Sequence, residues 1–95
     1  MKLNELMSLL RDVAVRTNAD LGEANWYLFG SAKESLSNAS DIDLLVVCRT
    51  HSVADIIRHA VDVDQFNRPI HLSILTDAEE AELHFVEKQG CIQLI

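Results

Sequence analysis

From Leu3 to Ala19 the apolar positions Leu3, Leu6, Met7, Leu10, Val13 and Ala14 recur at steps of three and four, with Glu5, Arg11, Asp12, Arg16 and Asn18 on the other side. This period predicts an amphipathic helix that closes near Gly22. The run Trp26-Tyr27-Leu28-Phe29 is apolar at every position and ends at Gly30-Ser31, which predicts a short central strand covered on both faces. Residues 31–39 are small and polar, as in a turn of helix followed by a loop. Ile42 to Val47 then predicts a second buried strand, its apolar character interrupted only by Asp41 and Asp43.

Further along, Ser52-Val53-Ala54-Asp55 has the form of a capping box, and Val53, Ile56, Ile57, Ala60 and Val61 continue it at helical spacing to about Asp64. Pro69 to Leu75 alternates Ile70, Leu72 and Ile74 with His71, Ser73 and Leu75, a third strand with proline at a tolerated first position. Thr76-Asp77-Ala78-Glu79 is a second capping box, opening a helix through Leu83 and Val86 that should stop at Gly90. A short apolar tail follows at Ile92–Ile95, and it is expected to offer an edge to another copy of the chain. The predicted order is αβαβαβα, an α+β arrangement.

Composition narrows the function. With 95 residues, 48% of them apolar and 24% charged, the chain is expected to fold as one domain over residues 1–95. Fifteen acidic against eight basic residues leave a net charge of −7, the opposite of the footprint that grips nucleic-acid or anionic-membrane phosphates. Neither partner is expected. Cys48 and Cys91 have no metal spacing, no apolar stretch is long enough to span a membrane, and a cytoplasmic setting is the default expectation.

Two places carry chemistry. Residues two apart on a strand project from the same face, so Asp41 and Asp43 set two carboxylates side by side. Such a pair repels itself unless a cation intervenes, and hard oxygen donors suit Mg²⁺ or Mn²⁺. Gly30-Ser31 lies where a strand gives way to a helical turn, leaving backbone N–H groups free for an anion, with the Ser31 hydroxyl and Lys33 close in sequence. A phosphate cradle beside a metal-binding pair describes a site for a metal–nucleoside triphosphate complex. The other features read as structure: His51, His59 and His84 as surface residues, Trp26, Tyr27 and Phe29 as sheet core, Cys48 as core, and the acids between Asp77 and Glu87 as the solvated face of one helix.

Gly30-Ser31, followed after nine residues by Asp41-Ile42-Asp43-Leu44-Leu45-Val46, resembles the GS…DxD signature of the DNA polymerase β-like nucleotidyltransferase superfamily, in particular its minimal MNT-type bacterial members. The resemblance extends over most of the chain. It implies a small mixed sheet of three to four strands flanked by helices, a Gly30-Ser31 contact to the triphosphate, and Mg²⁺ held by Asp41 and Asp43. The implied reaction transfers a nucleoside monophosphate to an acceptor hydroxyl and releases pyrophosphate. Active members carry a third carboxylate on the next strand. Here that position corresponds to His71, a possible base but a poorer ligand for Mg²⁺. The resemblance therefore implies either a minimal transferase or a catalytically impaired binding or regulatory module, such as the antitoxin-like half of a pair with a helical HEPN-type protein. Ninety-five residues leave no room for an acceptor-binding domain, so a protein partner or a second copy is expected to complete the site.

Overall fold

The computed structural model describes residues 3–21, 24–30, 41–61 and 69–95. In chain order its elements are α1 (Leu3–Leu21), β1 (Asn25–Phe29), β2 (Ile42–Cys48), α2 (His51–Ala60), β3 (Ile70–Thr76), α3 (Asp77–Leu83), α4 (Phe85–Gln89) and β4 (Ile92–Gln93). The strands form one mixed sheet in the order β3-β2-β1-β4. β1 runs antiparallel to both β2 and β4, whereas β2 and β3 are parallel, so the chain is an α+β fold with a four-stranded mixed sheet.

The two faces of the sheet differ. Trp26 and Leu28, Ile42, Leu44, Val46 and Cys48, with Ile70, Leu72 and Ile74, join Leu10, Val13 and Ala14 of α1 and Ala54 and Ile57 of α2 in one apolar cluster. This is the core, and the helical stripe of α1 is the reason it forms on that face. Asn18 fixes how α1 leads into the sheet: its amide donates to the Ala24 carbonyl at 2.8 Å and its oxygen accepts the Trp26 indole N–H at 2.9 Å. On the second face lie Tyr27 and Phe29, Asp43, Leu45 and Val47, and His71, Ser73 and Leu75, which strand alternation and register place together. Here α3 packs against β2 and β3, and Phe85 at the start of α4 meets Phe29 edge to face at 5.0 Å.

Several boundaries differ from the sequence expectation. β1 is not sealed on both faces: Trp26 and Leu28 are buried, but Tyr27 and Phe29 are only half-buried, because α4 covers part of the second face. Thr50, not Ser52, caps α2; its extended backbone lets its hydroxyl accept the Val53 N–H, and the helix stops at Ala60 rather than Asp64 because Val61 is extended. The Thr76–Glu79 capping box is present as expected, with both reciprocal hydrogen bonds made. The helix it opens is not continuous to Gly90. His84 adopts a left-handed conformation, and the Glu80 carboxylate accepts the N–H groups of Phe85 and Val86, capping a separate second helix. The apolar tail is used within the fold: Ile92–Gln93 pairs with β1, the Leu94 N–H reaches the Trp26 carbonyl at 2.7 Å, and Leu94 enters the core. The turn-and-loop expectation for residues 31–39 lies outside the described residues.

Two outcomes follow from this packing. Leu94→Ala should cost about 2–4 kcal/mol in urea unfolding, because it deletes a buried side chain and loosens the pairing that covers β1. The backbone N–H and hydroxyl of Thr76 hold the Glu79 carboxyl below the ordinary range. A depressed carboxyl stabilises the fold fully above its unfolded pKa of about 4.3, and that contribution fades as pH falls through the lower folded value. Glu79→Gln keeps the capping geometry without the titration, so its acid unfolding profile should be flatter below that pH than the parent's.

Candidate functional site

The end of β1, the start of β2 and the start of β3 meet at one corner of the sheet. Antiparallel register sets Asp43 opposite Phe29, and parallel register sets the same Asp43 opposite His71. Asp43 is thus the point where the cradle strand and the third strand converge. Gly30, one residue past the end of β1, turns the chain with φ +75°, a left-handed conformation that costs any residue with a Cβ. Space makes the same demand. A Cβ on Gly30 would overlap the Asp43 Oδ2 and lie 3.2 Å from its carboxyl carbon, so the carboxylate rests directly against the glycine backbone.

Asp41 turns the other way. Its Oδ2 lies 3.1 Å from His71 Nε2, a surface pair whose side chains are 40% and 60% exposed respectively. Exposed pairs of this kind contribute about 0–1 kcal/mol, so the contact is readily exchanged for another partner. The structure therefore brings together Gly30, Asp41, Asp43 and His71, with the two carboxylates directed to opposite neighbours, one to β1 and one to β3. Among the described residues no group of three or more His, Cys, Asp or Glu side chains converges as a metal cluster. Ser31 and Lys33 lie outside the described residues.

One neighbour of this corner is not legible from spacing. Phe85 reaches Phe29 only because the chain breaks at His84, and a continuous helix would read Leu83 and Val86 as its inward positions. Deeper on the same face, burial, with the Glu80 carboxylate and Cys91 adding to it, pushes the Tyr27 hydroxyl above its ordinary range, so Tyr27 stays a neutral phenol at physiological pH. At the opposite end of the sheet, Ala24, Asn25, Val47, Arg49 and Asp77 line a polar hollow of about 160 Å³. That is below the ~300–1,000 Å³ of typical small-molecule pockets, and none of the four converging residues takes part in it. His51, His59 and His84 are exposed and Cys48 is buried, as their sequence positions suggested. No described helix is long and apolar enough to cross a membrane.

No protein-family model, curated protein or solved structure matches this chain. Its functional reading rests on the geometry of this corner and on the motif that forms it.

Gly30→Ala should lower stability by about 1–2 kcal/mol from the left-handed backbone alone, and further through displacement of Asp43. Adding Asp43→Ala to that variant should recover the second part and leave the first, a non-additivity that a double-mutant cycle by thermal unfolding measures.

Proposed function

We propose that this chain is a nucleotidyltransferase-type domain that binds a nucleoside triphosphate at the Gly30, Asp41 and Asp43 corner and transfers its nucleoside monophosphate to an acceptor hydroxyl. The supporting observation is the double register of Asp43, which packs against a glycine of positive φ on one side and stands opposite His71 on the other. Gly30 lets the Asp43 carboxylate lie directly against the turn, so that a cation held by Asp43 would stand beside the main chain and bridge it to phosphate oxygens.

The donor set fits a hard divalent cation in kind: two half-exposed carboxylates near the start of β2, Asp41 turned toward β3 and Asp43 toward β1. Asp41 and Asp43 would hold Mg²⁺ or Mn²⁺, with water and phosphate oxygens filling the remaining positions, as is usual for Mg²⁺. When bound, the ion neutralises phosphate charge and orients the triphosphate. In the transfer, the acceptor oxygen attacks the α-phosphorus, the bond from that phosphorus to the bridging oxygen breaks, and pyrophosphate leaves. The proton of the acceptor hydroxyl goes to a base at the site, a task open to an imidazole such as His71. Ser31 and Lys33 enter this reading through the sequence resemblance alone.

A second reading is a module that keeps the nucleotide and has lost transfer, serving as the binding or regulatory half of a pair with a helical protein. It is favoured by the contact between His71 and Asp41, which engages one metal-binding carboxylate with a group that is not an acid.

The test is equilibrium dialysis of the four ribonucleoside triphosphates with Mg²⁺ or Mn²⁺, together with label transfer from α-labelled nucleotide to candidate acceptors. Transfer and binding should both fall at least about tenfold in Asp43→Asn and Asp41→Asn, the scale of losing one charge-assisted contact. Binding without transfer selects the second reading. Absence of both overturns the proposal.

A further inference from the structure

Phe29 and Phe85 form a feature that the reading above does not use. Both rings are half-buried, and they meet edge to face with centroids 5.0 Å apart and planes at 88°. Phe29 is the register partner of Asp43, so its side chain leaves the same face of the sheet one strand away from the carboxylate. Phe85 reaches that position only through the left-handed break at His84 and the Glu80 cap that starts α4. A left-handed conformation at a residue other than glycine is held by its surroundings, and its consequence here is to seat an aromatic ring beside the strand that carries the glycine turn. By contrast Trp26, on the other face of the same strand, is fully committed to the core.

An edge-to-face aromatic pair one strand away from the Asp43 carboxylate suits a ligand with an aromatic end and an anionic end joined to a cation. We infer that Phe29 and Phe85 form the base-side wall of the site, with the nucleobase packing on the exposed part of the Phe85 ring while its phosphates lie toward Asp43 and Gly30. This rests on the nucleotide reading proposed above and adds to it a subsite for the base. The wall carries no hydrogen-bonding group, so it takes purines and pyrimidines alike and favours the larger ring by contact area. Phe29 acts by holding Phe85 in place, and Phe85 touches the base.

The experiment compares the binding of Mg²⁺–ATP, Mg²⁺–CTP and Mg²⁺–tripolyphosphate, which has the phosphates without the base, to the parent chain and to Phe85→Leu, Phe85→Tyr and Phe29→Leu. Stacking on an aromatic residue contributes enough that Phe85→Leu should weaken ATP about tenfold while tripolyphosphate affinity stays unchanged. Phe85→Tyr, which keeps the ring, should bind ATP as the parent does, and Phe29→Leu should show a smaller loss confined to the nucleotides. Circular dichroism on each variant separates folding from binding. A parent that binds ATP and tripolyphosphate equally, or a Phe85→Leu chain that loses both together or neither, overturns the base-side wall and leaves the nucleotide reading standing. A parent that binds neither ligand overturns both.

Discussion

β2 is the constraint on which the rest depends. It is paired along its length by β3 on one side and by β1 on the other, and every residue from Leu44 to Cys48 is buried. A strand so enclosed has one fixed register with each neighbour, because a slip of one residue would turn its core side chains to the wrong face. The polar start of the same strand is thereby fixed as well. Asp43 cannot shift relative to Gly30 or His71 without displacing Leu44 and Val46 from the core, so the apolar half of β2 determines the geometry of its charged half.

The opposed directions of β1 and β3 explain why this corner has the chemistry it has. An antiparallel neighbour delivers the end of its strand, and so the Gly30 turn, to the start of β2, whereas a parallel neighbour delivers its own start, and so an in-strand side chain. Glycine supplies close approach on one flank and histidine a titratable ring on the other. A sheet of one sense alone would offer Asp43 either two turns or two strand beginnings.

Much of this was legible in the sequence, for physical reasons that can be traced. The period of three and four in α1, the Ile42–Val47 run broken only by Asp43 and the reciprocal Thr76–Glu79 cap are local signals, and each element stands where its signal lies. That Gly30 and Asp43 lie on adjacent strands was legible because strand ends follow from the backbone pattern, whereas the side-by-side carboxylates expected from same-face spacing are not formed: Asp41 precedes β2 and turns to His71, while Asp43 rests on Gly30. The partner of Asp41 was not legible, since His71 meets it through a pairing between segments far apart in sequence. The break at His84 was hidden because histidine seldom takes positive φ, and the Glu80 carboxylate that supports it reaches forward to two N–H groups no cap motif names. The role of the tail was hidden for a similar reason: Ile92–Ile95 looks like a spare edge until β1 is seen to need a neighbour.

That need is met by a long-range pairing. Of the strand pairs, β1 with β4 joins the segments most widely separated in sequence, and closing so long a loop costs more chain entropy than pairing β1 with β2 or β2 with β3. The outer edge of β1 is thus closed by the far end of the described chain, which also brings Leu94 into the core that Trp26 faces. β4 contributes only two residues of ladder, yet it covers N–H and C=O groups of β1 that an open edge would present to any extended chain nearby.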